Sequence, residues 1–354
     1  MRWAVILAGG SGSRFWPLSS PSYPKQLLPL SGPTSTAEQA VARLSGMIPR
    51  ERILVVTGGA LGPVVERLLG LPIENILSEP RPASTGPALV WASCEARRRD
   101  PEAEVLCLHA DWVVREDQRF RQTADVALLT AHRHRRLVTV GIVPNRPETG
   151  YGYIVPGEPL DASARTVSRF SEKPDATTAL NLMAAGALWN SGLFAWSAEL
   201  LCEQIARHTP EIAPYLPALQ AGDVAGFYRN VTPVSIDVGL LERSPSVAVV
   251  TGAFSWDDVG TWDALPRVRR KDPEGNVTSG PIYLDACQDC VIWSDQEPIV
   301  ASGIRDLVVV RANGRILVMN RSRAADLKKV LDGLPADVRD LDEDDRTGNG
   351  GPGG

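Results

Sequence analysis

Trp3-Ala4-Val5-Ile6-Leu7-Ala8-Gly9-Gly10-Ser11-Gly12-Ser13-Arg14 stands almost at the start of the chain. An unbroken apolar run feeds directly into a loop of glycines and serines. Such a run, with no polar residue alternating in it, marks a strand buried on both faces. A secretory leader would need a longer apolar core and a small-residue cleavage site, and neither follows. Outward from this stretch, Ile53–Thr57, Val105–Leu108 and Leu137–Val143 have the same character. Helical patterns separate them over Ser35–Leu44, Leu61–Leu69, Gly86–Arg99 and Phe120–His134. Alternation of this kind predicts an α/β fold, Rossmann-like, with a mostly parallel sheet and helices on both faces. Ligands on such sheets sit beyond the carboxyl ends of the strands, so the loops after Ala8 and Leu108 are the first places to look for chemistry.

The pattern changes at Thr149. Tyr151–Val155 and Thr166–Ser171 read as strands inserted at the sheet, followed by helices over Ala176–Ala185 and Ala198–His208. A first domain is expected over residues 1–266. Arg267–Asn276, charged and carrying Pro273 and Gly275, reads as a linker. Short strands with frequent turns then predict a small all-β domain over 277–333, closed by a helix at Arg323–Leu331. Residues 334–354 are acidic and glycine-rich and are expected to be disordered.

The 354 residues carry a net charge of -5 with no long basic block, which argues against nucleic acid as a partner. No apolar run reaches the roughly 20 residues that span a bilayer. The five cysteines are odd in number and scattered, which fits a reducing cytoplasm better than a disulfide framework. Cys287 and Cys290 form a lone C-x-x-C without a second pair, which reads as strand or turn cysteines rather than zinc ligands. The four histidines are dispersed and suggest no metal cluster.

The loop after the first strand suits an anion. Gly9, Gly10 and Gly12, with Ser11 and Ser13, let backbone N–H groups converge without side-chain obstruction. It is neither a P-loop, which needs Lys-Ser/Thr after its last glycine, nor a dinucleotide fingerprint, whose third glycine is missing. Arg14 in the loop and Lys25 just beyond it add two cations. That pairing suits a triphosphate losing pyrophosphate, Arg as a bidentate grip and Lys as a point charge. Pro17, Pro21, Pro24 and Pro29 stiffen the segment and fix where Lys25 points.

The run L-A-G-G-S-G-S-R-F-W-P-L-S-S with P-K-Q-L-L-P-L resembles the signature of the nucleotide-sugar pyrophosphorylases, in its mannose-1-phosphate guanylyltransferase branch. The resemblance extends from about Trp3 to about Leu331. Glu79-Pro80 with Thr85-Gly86 is similar to the family's base-pocket segment, although Ser84 stands where Asn is usual; a helix N-cap by Ser84 or Thr85 is the local alternative. His109-Ala110-Asp111 resembles the segment whose Asp binds Mg²⁺, with His109 and Trp112 as departures. Gly150–Ile154, Arg169–Pro174, Trp189–Phe194 and Ser235–Asp237 resemble the sugar-phosphate segments. Phe254–Trp262 is similar to the segment carrying the second metal carboxylate.

From this the resemblance implies a set of roles. Arg14 and Lys25 are catalytic. Leu7, Ala8, Gly9, Gly10, Ser11, Gly12, Ser13, Glu79, Pro80, Thr85 and Gly86 bind nucleotide. Gly152, Glu172, Lys173, Asn190 and Asp237 bind sugar phosphate. Asp111 and Asp258 hold Mg²⁺, with Asp257 the alternative to Asp258. The implied reaction joins GTP and mannose 1-phosphate to give GDP-mannose and pyrophosphate, in a cytoplasmic homodimer whose C-terminal domain is a small left-handed β-helix. Longer relatives carry an isomerase domain, to which nothing in this sequence corresponds. Two other readings stay open: another hexose 1-phosphate with UTP or dTTP, and a non-catalytic nucleotide-sugar sensor.

Overall fold

A computed structural model describes residues 1–10 and 12–340. Ser11 and the tail from residue 341 onward, including most of the segment expected to be disordered, lie outside the described residues. The chain divides into two compact units, each assembled from separated stretches. The first comprises Met1–Gly9, Ala37–Ala110 and Val114–Trp256; the second comprises Gly10–Thr36, Asp111–Val113 and the chain from Asp257 onward. The glycine-rich loop and Asp111 thus group with the C-terminal stretch rather than with the strands that precede them.

The first unit is built on one sheet. Its strands are β1 (Arg2–Leu7), β2 (Ile53–Gly58), β3 (Ile76–Glu79), β4 (Glu104–His109), β6 (Leu137–Ile142), β7 (Tyr153–Pro159), β8 (Ala164–Ser171), β9 (Leu188–Ser197) and β10 (Val247–Thr251). They lie in the order β3-β2-β1-β4-β9-β6-β10-β8-β7. β3, β2, β1 and β4 are parallel, with Leu7 opposite Val56 and His109. That register aligns the carboxyl ends of β1, β2 and β4. β6 and β10 are also parallel, but β9 runs antiparallel to both β4 and β6. The sheet is therefore mixed. An interior strand is apolar whichever way it runs, so composition does not give the direction of β9.

Helices α1 (Thr36–Arg43), α2 (Gly62–Leu69), α3 (Thr85–Arg99), α4 (Asp117–His134), α5 (Ala176–Ala184), α6 (Ala198–His208), α7 (Leu216–Gln220) and α8 (Val224–Asn230) complete it. α6 begins at Ser197, whose hydroxyl accepts from Leu200 N, and α5 begins at Asp175, whose carboxylate accepts from Thr178 N. The core joins Trp3, Val5 and Leu7 to Leu89 and Val90 of α3 and to Leu201 and Ile205 of α6.

In the second unit, β5 (Trp112–Val114) pairs with β11 (Trp256–Asp258) as a two-stranded ribbon. β12 (Val277–Ser279), β14 (Val291–Ser294) and β16 (Leu307–Ala312) stack in parallel, with β17 (Arg315–Asn320) antiparallel at the end. β13 (Ile282–Asp285) pairs in parallel with β15 (Ile299–Ser302). Short parallel strands alternating between two sheets make a β-helix-like stack. Phe15 and Trp16 lie in its core with Trp262, Trp293 and Leu327. The Trp262 ring is 5.0 Å from Phe15 and 5.8 Å from Trp293, and its indole N–H donates to Trp16 O at 3.2 Å.

Segment 267–276 is packed rather than loose. Arg267 pairs with Asp257 at 2.7 Å, Arg269 lies 4.5 Å over the Trp293 ring, and buried Asn276 bonds Cys287 O at 3.0 Å. Arg270, Lys271 and Glu274 of this segment stay exposed, while Arg267, Arg269 and Asn276 anchor it. Helices α9 (Leu265–Val268), α10 (Leu327–Asp332) and α11 (Ala336–Arg339) follow. α11 falls where disorder was expected from residue 334; Trp16 Nε1 donates to Arg339 O at 3.0 Å and holds it. No helix among the described residues is long and apolar enough to cross a membrane.

Candidate active site

The glycine-rich turn is shaped by steric need. Gly10 and Gly12 have φ of 105° and 60°, the left-handed region that glycine alone enters without strain. A Cβ on Gly12 would stand 2.4 Å from the Lys25 backbone nitrogen and 3.0 Å from Pro24 Cα. The glycine loop and Lys25 are therefore in backbone contact. Ser13–Phe15 forms a 3₁₀ turn after Gly12, and Ser19 donates to Gly12 O at 2.6 Å. Arg14 is exposed, and among the described residues no carboxylate pairs with it. Gly12→Ala is expected to cost about 1–3 kcal/mol of stability and to displace Lys25. Thermal melting and turnover, measured on the same preparation, check both effects; an unchanged variant on both counts overturns this account of the turn.

Lys25 Nζ lies 2.8 Å from Asp111 Oδ2 and 3.1 Å from Asp258 Oδ1. It also donates to Val259 O at 3.4 Å. Burial lowers the affinity of this ammonium for its proton, but the two carboxylates outweigh that and hold it above the ordinary lysine value. Pairing of β5 with β11 brings the two aspartates together, since Asp111 directly precedes one strand and Asp258 ends the other. Successive side chains of a strand face opposite ways. Asp258 accordingly meets Lys25, while Asp257 turns the other way onto Arg267, at 2.7 and 2.8 Å. Asp257 is thus committed to a structural pair. Two carboxylate oxygens converging on one cation form a donor set that suits a divalent ion, because Mg²⁺ takes one or two carboxylates and fills its remaining positions with phosphate oxygens and water. Trp112, which stands where the resembled motif has histidine, is buried at 3% exposure as a core residue of β5.

The first unit carries two further groups. At the end of β3, Glu79 accepts a hydrogen bond from Tyr228 Oη at 3.0 Å. Burial raises the Glu79 carboxyl, and the Tyr228 bond partly offsets it. Burial, followed by the Glu79 charge, raises the Tyr228 phenol in turn. Ser84 occupies the N-cap position of α3 at φ 70° but makes no side-chain cap bond. Thr85 does not cap either: its hydroxyl accepts from Ile236 N at 3.0 Å. Capping is therefore not what this pair does. Gly86 N donates to Val234 O at 3.0 Å, and a Cβ on Gly86 would come within 2.6 Å of that oxygen. Glycine stands at position 86 where segment 234–236 crosses closely.

Around Asn190 the expected sugar residues meet. Asn190 Nδ2 donates to Asp237 Oδ1 at 2.7 Å, Asn190 Oδ1 accepts from Thr139 at 2.8 Å, and Asn190 N donates to Gly152 O at 2.8 Å. A Cβ on Gly152 would be 2.6 Å from Glu172 Oε2, so only glycine lets that carboxylate approach. Lys173 pairs with Glu172 at 2.5 Å, its own side chain 63% exposed. Burial, and then the charge of Glu172, push the Asp237 carboxyl up to about 6. Thr139, Tyr228 and Arg146 escaped the sequence reading. Arg146 stacks 4.8 Å over the Trp189 ring and pairs with Glu148. Its place four residues before Gly150–Ile154, one of the segments resembling the sugar-phosphate motifs, was the available signal; Thr139 and Tyr228 lie in none of those segments.

Residues 3–275 match the nucleotidyl transferase family, and residues 281–334 match the MannoseP isomerase/GMP-like beta-helix domain. The chain is 37% identical over 350 residues to the mannose-1-phosphate guanylyltransferase of Klebsiella pneumoniae, covering 95% of this chain and 74% of that protein. It is 34% identical over 355 residues to the mannose-1-phosphate guanylyltransferase of Escherichia coli K12, with the same coverage, 95% and 74%. Among solved structures, the mannose-1-phosphate geranyltransferase of Thermus thermophilus superposes with a TM-score of 0.88 at 33% identity, covering 94% of this chain and 98% of that one. With its sheet, its β-helix-like stack and nearly its whole length matched in this way, the chain belongs to the nucleotidyl transferase family, in its mannose-1-phosphate guanylyltransferase group.

Proposed function

We propose that the protein transfers the nucleotidyl group of GTP to α-D-mannose 1-phosphate, giving GDP-mannose and pyrophosphate. The observation that carries this reading is the convergence of Asp111 and Asp258 on Lys25, in backbone contact with the glycine-rich turn. An oxygen of the sugar phosphate attacks the α-phosphorus; the bond to the β-phosphate oxygen breaks, and its electrons leave with pyrophosphate. The phosphate monoester is largely ionised at neutral pH, so no side chain has to remove a proton. Catalysis then consists of alignment and charge neutralisation.

Amides of Gly9, Gly10, Gly12 and Ser13, with Arg14 and Lys25, hold the departing phosphates. Lys173 meets the sugar phosphate, while Glu172, Asn190 and Asp237 accept or donate to hexose hydroxyls. Glu79, oriented by Tyr228, faces the adjacent N1–H and 2-amino donors of guanine. Asp111 and Asp258 would hold Mg²⁺, which supplies Lewis-acid charge neutralisation on phosphate oxygens. The protein acts in the cytoplasm as a homodimer, with a catalytic domain over 1–266 and a β-helix-like domain over 277–333. Five cysteines present as free thiols suit that compartment. Pyrophosphate release, measured across pairs of nucleoside triphosphate and sugar phosphate, is expected to favour GTP with mannose 1-phosphate by at least about tenfold, equivalent to about 1.4 kcal/mol. A preference for glucose 1-phosphate with UTP or dTTP overturns the assignment.

Asp237 adds a pH dependence. Its carboxyl, raised from 3.8 to about 6, binds a proton more tightly folded than unfolded. The stability this gives is complete below about pH 4 and is lost as pH rises through 6. The ionised form is also the better acceptor for a sugar hydroxyl. KM for mannose 1-phosphate is expected to fall as pH rises through about 6, with the melting temperature losing a component over the same interval. Both inflections should disappear in Asp237→Asn; their persistence there assigns them to another group.

A further inference from the structure

Outside this site, one nucleophilic pair is used by nothing described so far. Cys94 on α3 and Cys202 on α6 bring their sulfurs to 3.6 Å across the helix interface. Disulfide bonding needs about 2.05 Å between sulfurs and Cβ atoms about 3.8 Å apart, so closure takes side-chain rotation and a small helix adjustment. The pair borders a cavity of about 380 Å³ lined also by Arg97, Arg98, Leu219 and Gln220, so a small oxidant can reach it. The hydrogen bond shared with Cys94, in which either sulfur can be the donor, and then the Arg97 guanidinium favour ionisation of the Cys202 thiol. A thiol beside a cation that favours its ionised form, with a second thiol in reach, is the arrangement that reacts with peroxides and then resolves.

The other cysteines lack this arrangement. Cys107 is buried in β4, and burial raises its thiol. Cys287 and Cys290, three residues apart in sequence, donate to separate carbonyls: Ala301 O at 3.2 Å and Gln288 O at 3.2 Å. The C-x-x-C pair is close in sequence, whereas the fold brings together two cysteines from distant helices.

We propose that Cys94 and Cys202 form a modification site that closes reversibly to a disulfide in response to a small hydroperoxide. The Cys202 thiolate attacks one peroxide oxygen; the O–O bond breaks, leaving a sulfenic acid and, after protonation, water or an alcohol. Cys94 sulfur then attacks the sulfenic sulfur, an S–S bond forms, and the hydroxyl leaves as water with the Cys94 proton. Two thiols lose two electrons and two protons to one peroxide, and a dithiol returns them. The product ties α3 to α6. α3 starts at Thr85 and Gly86, which bond segment 234–236, and Thr209 just beyond α6 bonds Gly239 O at 2.8 Å. Both cross-linked helices therefore border the segment that carries Asp237.

The test is hydrogen peroxide titration of the intact enzyme, with thiol counting in denaturant, intact mass and peptide mapping. Wild type is expected to lose two of its five thiols and two hydrogen masses, with one cross-linked peptide joining residues 94 and 202, restored by dithiothreitol. Its melting temperature should rise on oxidation, because the cross-link closes a long loop. Cys94→Ser and Cys202→Ser should each abolish the mass loss and the melting shift. A bond mapped to Cys287 and Cys290, five thiols surviving the titration, or a melting shift that persists in both serine variants overturns the proposal.

Discussion

Lys25→Ala is expected to reduce kcat by at least about 100-fold, the usual consequence of deleting one electrostatic contact to a transition state. Lys25 is one of two cations at the turn, and it bridges both aspartates. Its removal also leaves those carboxylates without the ammonium between them. The variant is therefore expected to bind Mn²⁺ more tightly than wild type in the absence of nucleotide, by at least about tenfold, equivalent to about 1.4 kcal/mol. Paramagnetic titration of Mn²⁺ reads this without turnover. Near-normal kcat sinks the catalytic assignment; equal Mn²⁺ affinity in both proteins shows that the aspartates and Lys25 do not share a cation position.

The second large effect separates two neighbours. Asp258→Asn is expected to lower kcat by at least about 100-fold with little change in melting temperature, because the carboxylate faces Lys25 and is 38% exposed. Asp257→Asn should do the reverse. It breaks the two-bond pair with Arg267, made by a carboxylate only 12% exposed, and should cost on the order of 1–2 kcal/mol with kcat kept within a few-fold. Paired kinetics and melting of the two variants decide it. If Asp257→Asn loses activity and Asp258→Asn does not, the carboxylates have exchanged roles and the β11 alternation argument fails.

Much of this was legible in the sequence because the signals were local. Trp3–Ala8 reads as a buried strand from its own composition, and β1 covers Arg2–Leu7. A helix is expected over Ala198–His208, and the boundaries agree. The glycine-rich turn announces itself because backbone at positive φ needs glycine. What was not legible depends on strands that meet only in space. The choice between Asp257 and Asp258 rests on which way β11 faces, and no spacing rule contains that. Tyr228 reaches Glu79 from α8, and Thr139 reaches Asn190 from β6; both are unremarkable residues until the tertiary partner is known. The need for glycine at position 86 was likewise hidden, because it comes from the crossing of segment 234–236. Arg267 and Arg269 of segment 267–276 meet Asp257 and the Trp293 ring only through the fold, which charge density in the sequence does not show.

The second unit has a practical consequence for anyone wishing to cut the protein into pieces. Phe15 and Trp16, at the N-terminal end of the sequence, share an apolar core with Trp293, Leu327 and Leu331 near the other end. Severing the chain around residue 266 would strip those aromatic rings of their neighbours and unmoor the turn that carries Arg14. Chimeras that exchange the C-terminal stretch between relatives should therefore carry residues 10–36 along with it, as a matched set.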